Sequence, residues 1–234
     1  MLLCLVGSEM CIRDSPPTVY SEMLPSKYSR DSLLKPKKFT HYSMGLYVLF
    51  FGSKKKFSDV AHHTIWMSER YKELLHDIFE KKILTEDFSL YLHRPTATDD
   101  TFAPEGCDSF YVLCPVPNLQ GNVQWNSEGP KLKDRIVEAL DKTIMPGLKE
   151  NIEAEFWMTP EDFKNDYRSK YGAGFSVAPI FSQSAWFRYH NKDKKIPNLY
   201  FSAAGSHPGA GIPGVLCSAK VIEKLIIKDF KVSH

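Results

Sequence analysis

Apolar runs of strand length alternate with helical periodicities through the middle of this chain. Leu46–Phe51 is a continuous apolar run, long enough for a buried strand and too short to cross a membrane. His62–Trp66 reads as a second strand. Ser68 can cap a helix reaching Lys81, with Tyr71, Leu74, Leu75, Ile78 and Phe79 on its apolar face. Phe88–His93 and Phe110–Pro115 read as further strands, the latter stopped by Pro115 and Pro117. A helix is expected to begin at Pro130 and run to about Met145, carrying Leu132, Ile136, Leu140 and Ile144, before Pro146-Gly147 breaks it. Phe156–Met158 is a candidate short strand. Thr159-Pro160-Glu161-Asp162 combines a hydroxyl cap, an early proline and first-turn acids, so it opens a helix expected to end near Gly172.

The pattern changes at Asn198–Ser218. Leu199, Tyr200 and Phe201 form a short β-rich run that empties into a glycine-rich loop, which opens into a helix. Pro213 suits an early helical position, and Ile212, Val215, Leu216, Ala219, Ile222 and Ile226 share one face. A helix start without capping side chains offers unpaired N–H groups and a partial positive charge to a ligand. Gly209, Gly211 and Gly214 spell G-x-G-x-x-G, but no second strand follows before His234, so a free-standing dinucleotide fold is not expected. From the glycines alone, a turn before a packed helix and a cofactor contact stand level.

Composition narrows the classes. The 234 residues hold 30 Lys+Arg and 28 Asp+Glu, which gives no electrostatic case for nucleic acid. Basic clusters at Lys35–Lys38, Lys54–Lys56 and Lys192–Lys195 are either solvated loops or contacts to anionic lipid headgroups. The five cysteines lack C-x-x-C or framework spacing and read as free thiols. Aromatics, at 13%, suit a large core or an apolar tunnel equally. Met10–Ser15 resembles translated adapter sequence, so residues 1–15 are read as an assembly or cloning scar.

Candidate chemistry is sparse. His62 and His63 are adjacent and, on one strand, would face opposite sides, so no metal is expected. No hydrolase elbow or Walker loop occurs. Asp99 and Asp100 sit in a polar loop after a strand, where turn capping is the common role and a carboxylate facing substrate the alternative.

The run containing Asn198, Tyr200, Phe201, Gly205, His207, Pro208, Gly209, Gly211 and Ile212 resembles the C-terminal motif of the bacterial-type phytoene desaturases, FAD-dependent enzymes of carotenoid synthesis. It departs from that motif at Ala203 and Ser206, both small changes. Segments 61–64, 70–79, 86–95, 103–106, 128–136 and 183–188 resemble the family in the same order, from about Ser43 to about Asp229. The resemblance implies an α/β fold: a mixed α+β substrate region at 16–195, then a strand–loop–helix at 196–234 returning to a Rossmann-like FAD domain in a flavin amine-oxidase-like fragment. It implies FAD as cofactor, with Gly205, Pro208, Gly209, Gly211, Ile212, Pro213, Gly214 and Val215 at its site. Asp99 and His207 are the implied catalytic residues; the role of Arg188 stays open. The implied substrate is a long phytoene-like polyene drawn from a membrane surface by a cytoplasmic, peripheral protein. The family's N-terminal FAD-binding half is expected to be missing, and the chain to be inactive alone. A carotenoid isomerase, a diapophytoene desaturase, and a non-catalytic protein binding apolar ligands or membrane surfaces are the alternatives.

Overall fold

The computed structural model describes residues 16–25 and 40–231. The expected scar at 1–15, with Cys4 and Cys11, and the basic cluster Lys35–Lys38 lie outside the described residues. The chain packs as two compact units, one of Met44–Asp162 and one of the described residues up to Ser43 together with those from Phe163 onward. The functional division expected at 195/196 falls inside the second of these.

In Met44–Asp162 the expected strands form a single antiparallel sheet. They are β1 (Gly45–Ser53), β2 (His63–Trp66), β3 (Leu90–His93), β4 (Asp108–Val116) and β5 (Ile152–Met158), in the spatial order β2-β3-β4-β1-β5. Tyr47, Leu49 and Phe51 of β1 lie opposite Cys114, Val112 and Phe110 of β4. Side chains alternate along a strand, so these residues share one face. With Leu90 and Leu92 of β3 they pack against Leu132, Ile136 and Leu140 of a long helix, forming the core. A shorter helix, α1 (Tyr71–His76), continues as a wider π-type turn through Lys81 and buries Leu74 and Ile78; the long helix is α2 (Trp125–Lys142).

α2 begins at Trp125 rather than at Pro130. Trp125 is 2% exposed and stacks on Tyr47, whose hydroxyl donates to the Gly129 carbonyl at 2.9 Å. Burying that indole draws a further turn into the helix despite the ladder bond that Pro130 cannot make. The helix opened at Pro160 ends at Asn165, short of Gly172. Arg168 and Tyr171 have φ of 53° and 57°, left-handed values that no α-helix continues through. Its start matches the sequence: one Asp162 carboxylate oxygen accepts from both the Thr159 N–H and its hydroxyl.

The other unit is mostly loop and short turns around a helix α3 (Ile212–Phe230). Leu199–Phe201 is not a strand: that stretch takes part only in an isolated bridge between Lys192 and Tyr200, because no described strand lies beside it to extend a ladder. The apolar stripe of α3 is also less covered than expected. Val215 is buried, while Ile212 and Leu216 are 72% and 60% exposed.

Candidate active site

The glycine loop is set by the conformations it must adopt. Gly211, at the N-cap of α3, has φ of 92° and no side chain capping the helix start; a Cβ there would meet nothing within 4 Å. Gly209 has φ of 145°, and a Cβ on Gly214 would stand 2.6 Å from the Gly209 carbonyl oxygen. The loop therefore folds back on the first turn of α3 and leaves an unobstructed backbone surface at the helix's positive end. Gly205 serves packing instead: its Cβ would strike Pro16 and Ser176. Pro208 follows a cis peptide bond, Ile212 and Pro213 are exposed, and Val215 is buried, its N–H closing the first bond of α3 onto the Gly211 carbonyl.

Arg188 lies beneath this loop, 5% exposed. Its guanidinium donates to the carbonyls of Ala204, Gln183, Phe175 and Val177. A buried cation satisfied by backbone carbonyls organises three chain segments under the loop; burial holds its pKa below the usual arginine value. Asn191, with Ser206 and Ser218, ties the loop to α3: its amide contacts the Phe201 and His207 carbonyls and the Ser218 hydroxyl. Isolated polar residues in a loop carry no sequence pattern, so Asn191 and Ser218 left no signal. His207 faces Trp186 edge-on, with centroids 5.9 Å apart. Its Nδ1 is 3.0 Å from the Ala185 carbonyl oxygen, which can only accept, so Nδ1 carries a proton.

In the sheet unit, the face away from the core carries a stripe of aromatic rings, one from each strand. From edge to edge it runs Phe156 (β5), Phe50 (β1), Tyr111 (β4), Tyr91 (β3) and His63 (β2), with successive centroid distances of 4.5, 5.2, 6.2 and 5.9 Å. Leu113 lies opposite Tyr91 on the same face, and Phe156 is 58% exposed. A half-buried sheet normally places polar residues there. The available signal was that β1 and β4 are apolar at both parities.

Asp99 caps the short turn Asp100–Phe102. Its carboxylate accepts from the Thr101 N–H at 2.9 Å and the Thr101 hydroxyl at 2.6 Å. The hydroxyl and then the backbone bond hold the acid below the usual carboxylate range, and the residue is exposed. The loop is anchored by a buried pair, Arg94 and Asp108, 8% and 0% exposed at their side chains. Asp108 also accepts from Thr96 and from the Phe57 N–H.

The basic cluster at 54–56 is engaged: Lys54 pairs with Glu153, Lys56 with Asp100, and Lys55 donates to the Pro146 carbonyl. Lys192 pairs with Asp229. The described cysteines, Cys107, Cys114 and Cys217, are free thiols, and burial pushes Cys114 up to about 12. His62 and His63 do not face apart. The strand begins only at His63, so alternation does not govern His62, and both rings gather with His93. No helix among the described residues is long and apolar enough to cross a membrane.

No family model matches the chain. A lycopene-forming phytoene desaturase of Pantoea ananas is 47% identical over 206 residues, 88% of this chain and 41% of that protein. Its counterpart in Pseudescherichia vulneris is 50% identical over 191 residues, 81% of this chain and 39% of that protein. The chain is homologous to the bacterial phytoene desaturases. It spans about two fifths of the length of those desaturases. A 4,4'-diapophytoene desaturase of Methylomonas is 33% identical over 207 residues, 88% of this chain and 40% of that protein. Among solved structures, an oxidoreductase of Methanosarcina mazei superposes with a TM-score of 0.52 at 14% identity, covering 91% of this chain and 42% of that one, a likeness of fold that agrees with the mixed α/β expectation.

Proposed function

We propose that this chain is the polyene-binding and flavin-contacting part of a FAD-dependent carotenoid desaturase, peripheral to a cytoplasmic membrane surface, with the main FAD-binding fold supplied by the remainder of the desaturase length. The observation that carries this reading is the aromatic stripe, in a chain homologous to phytoene desaturases. A hydrocarbon polyene offers no charge and no hydrogen bond, so its affinity comes from apolar burial at about 25 cal/mol per Å². One ring per strand over four inter-strand steps of about 4.8 Å makes a track of about 19 Å, suited to a rod-like apolar substrate.

The glycine loop fits a flavin. Backbone at Gly211 is open to close approach, Gly209 packs over Arg188, and Gly205, Pro208 and Gly214 shape the loop. Ile212 and Pro213 are exposed at the first turn of α3, where the helix field favours negative charge, and Val215 seats that turn. Bound FAD would supply the acceptor for a hydride from an allylic carbon of the polyene. Loss of a proton from the neighbouring carbon then completes a new conjugated double bond. Asp99, ionised and exposed, is assigned as that proton's acceptor, and His207, whose Nε2 is not the nitrogen facing Ala185, as a polar contact at the loop.

The test joins this chain to the N-terminal part of the Pantoea ananas desaturase that it does not match, in cells that accumulate phytoene. Coloured lycopene or neurosporene in the extracts supports the reading. A folded, flavin-loaded hybrid that leaves phytoene untouched overturns it. The homology to a diapophytoene desaturase favours a second reading, a shorter substrate, and supplying diapophytoene to the same hybrid separates the two by product.

A further inference from the structure

Three imidazoles converge at the β2 edge of the sheet. His63 and His93 lie directly opposite each other across β2 and β3. His62 is fixed beside them because its carbonyl accepts from the Arg94 N–H at 2.9 Å. One ligand nitrogen from each ring lies within 4.8 Å of the others, and the ring centroids are 4.3, 4.8 and 5.2 Å apart. Imidazoles sharing one tetrahedral ion, with bonds of about 2.1 Å, hold their nitrogens roughly 3.4 Å and their centroids roughly 5 Å apart. The ring centroids stand at that scale, and His62 Nε2 and His93 Nε2, now 2.8 Å apart, would part by about 0.6 Å to share the ion.

The hydrogen bonds around the rings select the atoms. The Thr98 hydroxyl lies 3.0 Å from His62 Nδ1 and occupies that nitrogen. His62 Nε2, the nitrogen not engaged by Thr98, points at His93 Nε2 from 2.8 Å. His63 Nδ1 is held by the Tyr91 hydroxyl at 2.9 Å. Two of the three rings are thus oriented by an outer hydroxyl at the far nitrogen, as metal-binding histidines usually are. The proton shared by the facing Nε2 atoms is what a cation would replace, leaving for solvent or for His93 Nδ1.

We infer that His62, His63 and His93 form a binding site for a divalent first-row transition metal ion, with water completing the coordination. Imidazole nitrogens suit zinc, copper and nickel rather than calcium or magnesium. His63 is exposed and gives the ion its entry path. The bound ion clips β2 to β3 and stabilises the folded unit by mass action.

Zinc titration of the metal-stripped 234-residue chain, followed by calorimetry and thermal unfolding, is the test. One zinc ion per chain and a raised unfolding temperature are expected. His63→Gln and His93→Gln each weaken zinc at least about tenfold, and Tyr91→Phe about tenfold through the lost outer hydroxyl. His76→Gln, an exposed histidine on α1, leaves affinity unchanged. Absence of stoichiometric zinc binding, or unaltered affinity in His63→Gln, overturns the site. Because His63 is exposed, that variant decides the matter even where His93→Gln does not fold. Cobalt provides an independent reading: visible bands characteristic of tetrahedral nitrogen ligation in the parent chain, lost in His63→Gln.

Discussion

Asp99, in the loop after β3, and Asp108, at the first position of β4, are carboxylates with opposite surroundings, and each is tested differently. Asp108 is wholly buried against Arg94, Thr96 and the Phe57 N–H. Asp108→Ala leaves the Arg94 charge buried without its counterion, so unfolding in urea should show a loss of about 3–5 kcal/mol. Asp99 does two things at once, capping a turn and presenting an ionised group. Asp99→Ser keeps a capping oxygen and removes the carboxylate. In the hybrid desaturase it should leave the unfolding midpoint in place and lower turnover about a hundredfold; unchanged turnover would reduce Asp99 to a cap. Sequence could foresee both roles because an Asp pair in a polar loop is compatible with each. It could not foresee Asp108, whose partners lie twelve and more positions away in the chain.

At the scale of elements, strand identity was legible wherever apolar residues ran together, as in β1, β3 and β4. Helix boundaries were less so, because Trp125 extended α2 by tertiary burial and Arg168 ended another helix by a local backbone choice. The aromatic stripe is legible only once register is known, since its rings come from strands far apart in sequence. Its exposed end offers a clean probe. Phe156→Ser should cost about 1 kcal/mol, the stacking on Phe50, yet reduce polyene retention by the hybrid several-fold in a co-purification assay. In the glycine loop, Gly214→Ala drives a methyl into the Gly209 carbonyl and should cost flavin occupancy more than any solvent-facing change on α3. The first helical segment carries an acid-sensitive clasp. Lys81, and then Arg70, hold Asp77 below the usual carboxylate range. A depressed folded-state pKa contributes stability that is complete above the ordinary aspartate value of about 4 and lost as pH falls through the folded value. Acid titration followed by circular dichroism should show that loss, and Asp77→Asn should remove it.

For the molecule as a whole, the resemblance carried by the C-terminal motif foretold the homology, while the motif's local structure was only half foreseen. Gly211 and the uncapped start of α3 are as expected. The strand leading into them is not, since a strand needs a neighbour that the described residues do not provide. The exposed Ile212 and Leu216 agree with a chain that spans about two fifths of its relatives. The chain expressed alone should form no coloured carotenoid from phytoene, and pigment formed by it without a partner segment would refute the division of labour proposed above.

The other unit is made of two stretches of chain, whereas Met44–Asp162 is one continuous stretch. Its two ends meet, for Gly45 lies so close to Pro160 that a Cβ would stand 2.8 Å from the proline ring. A module that leaves and re-enters its host at one point can be emitted by the ribosome and collapse before the host's second stretch of chain has been made. The same closed seam makes it a cassette: ancestral genes could exchange it, and a bench experiment can lift it out as a free-standing domain, without cutting any strand of the sheet.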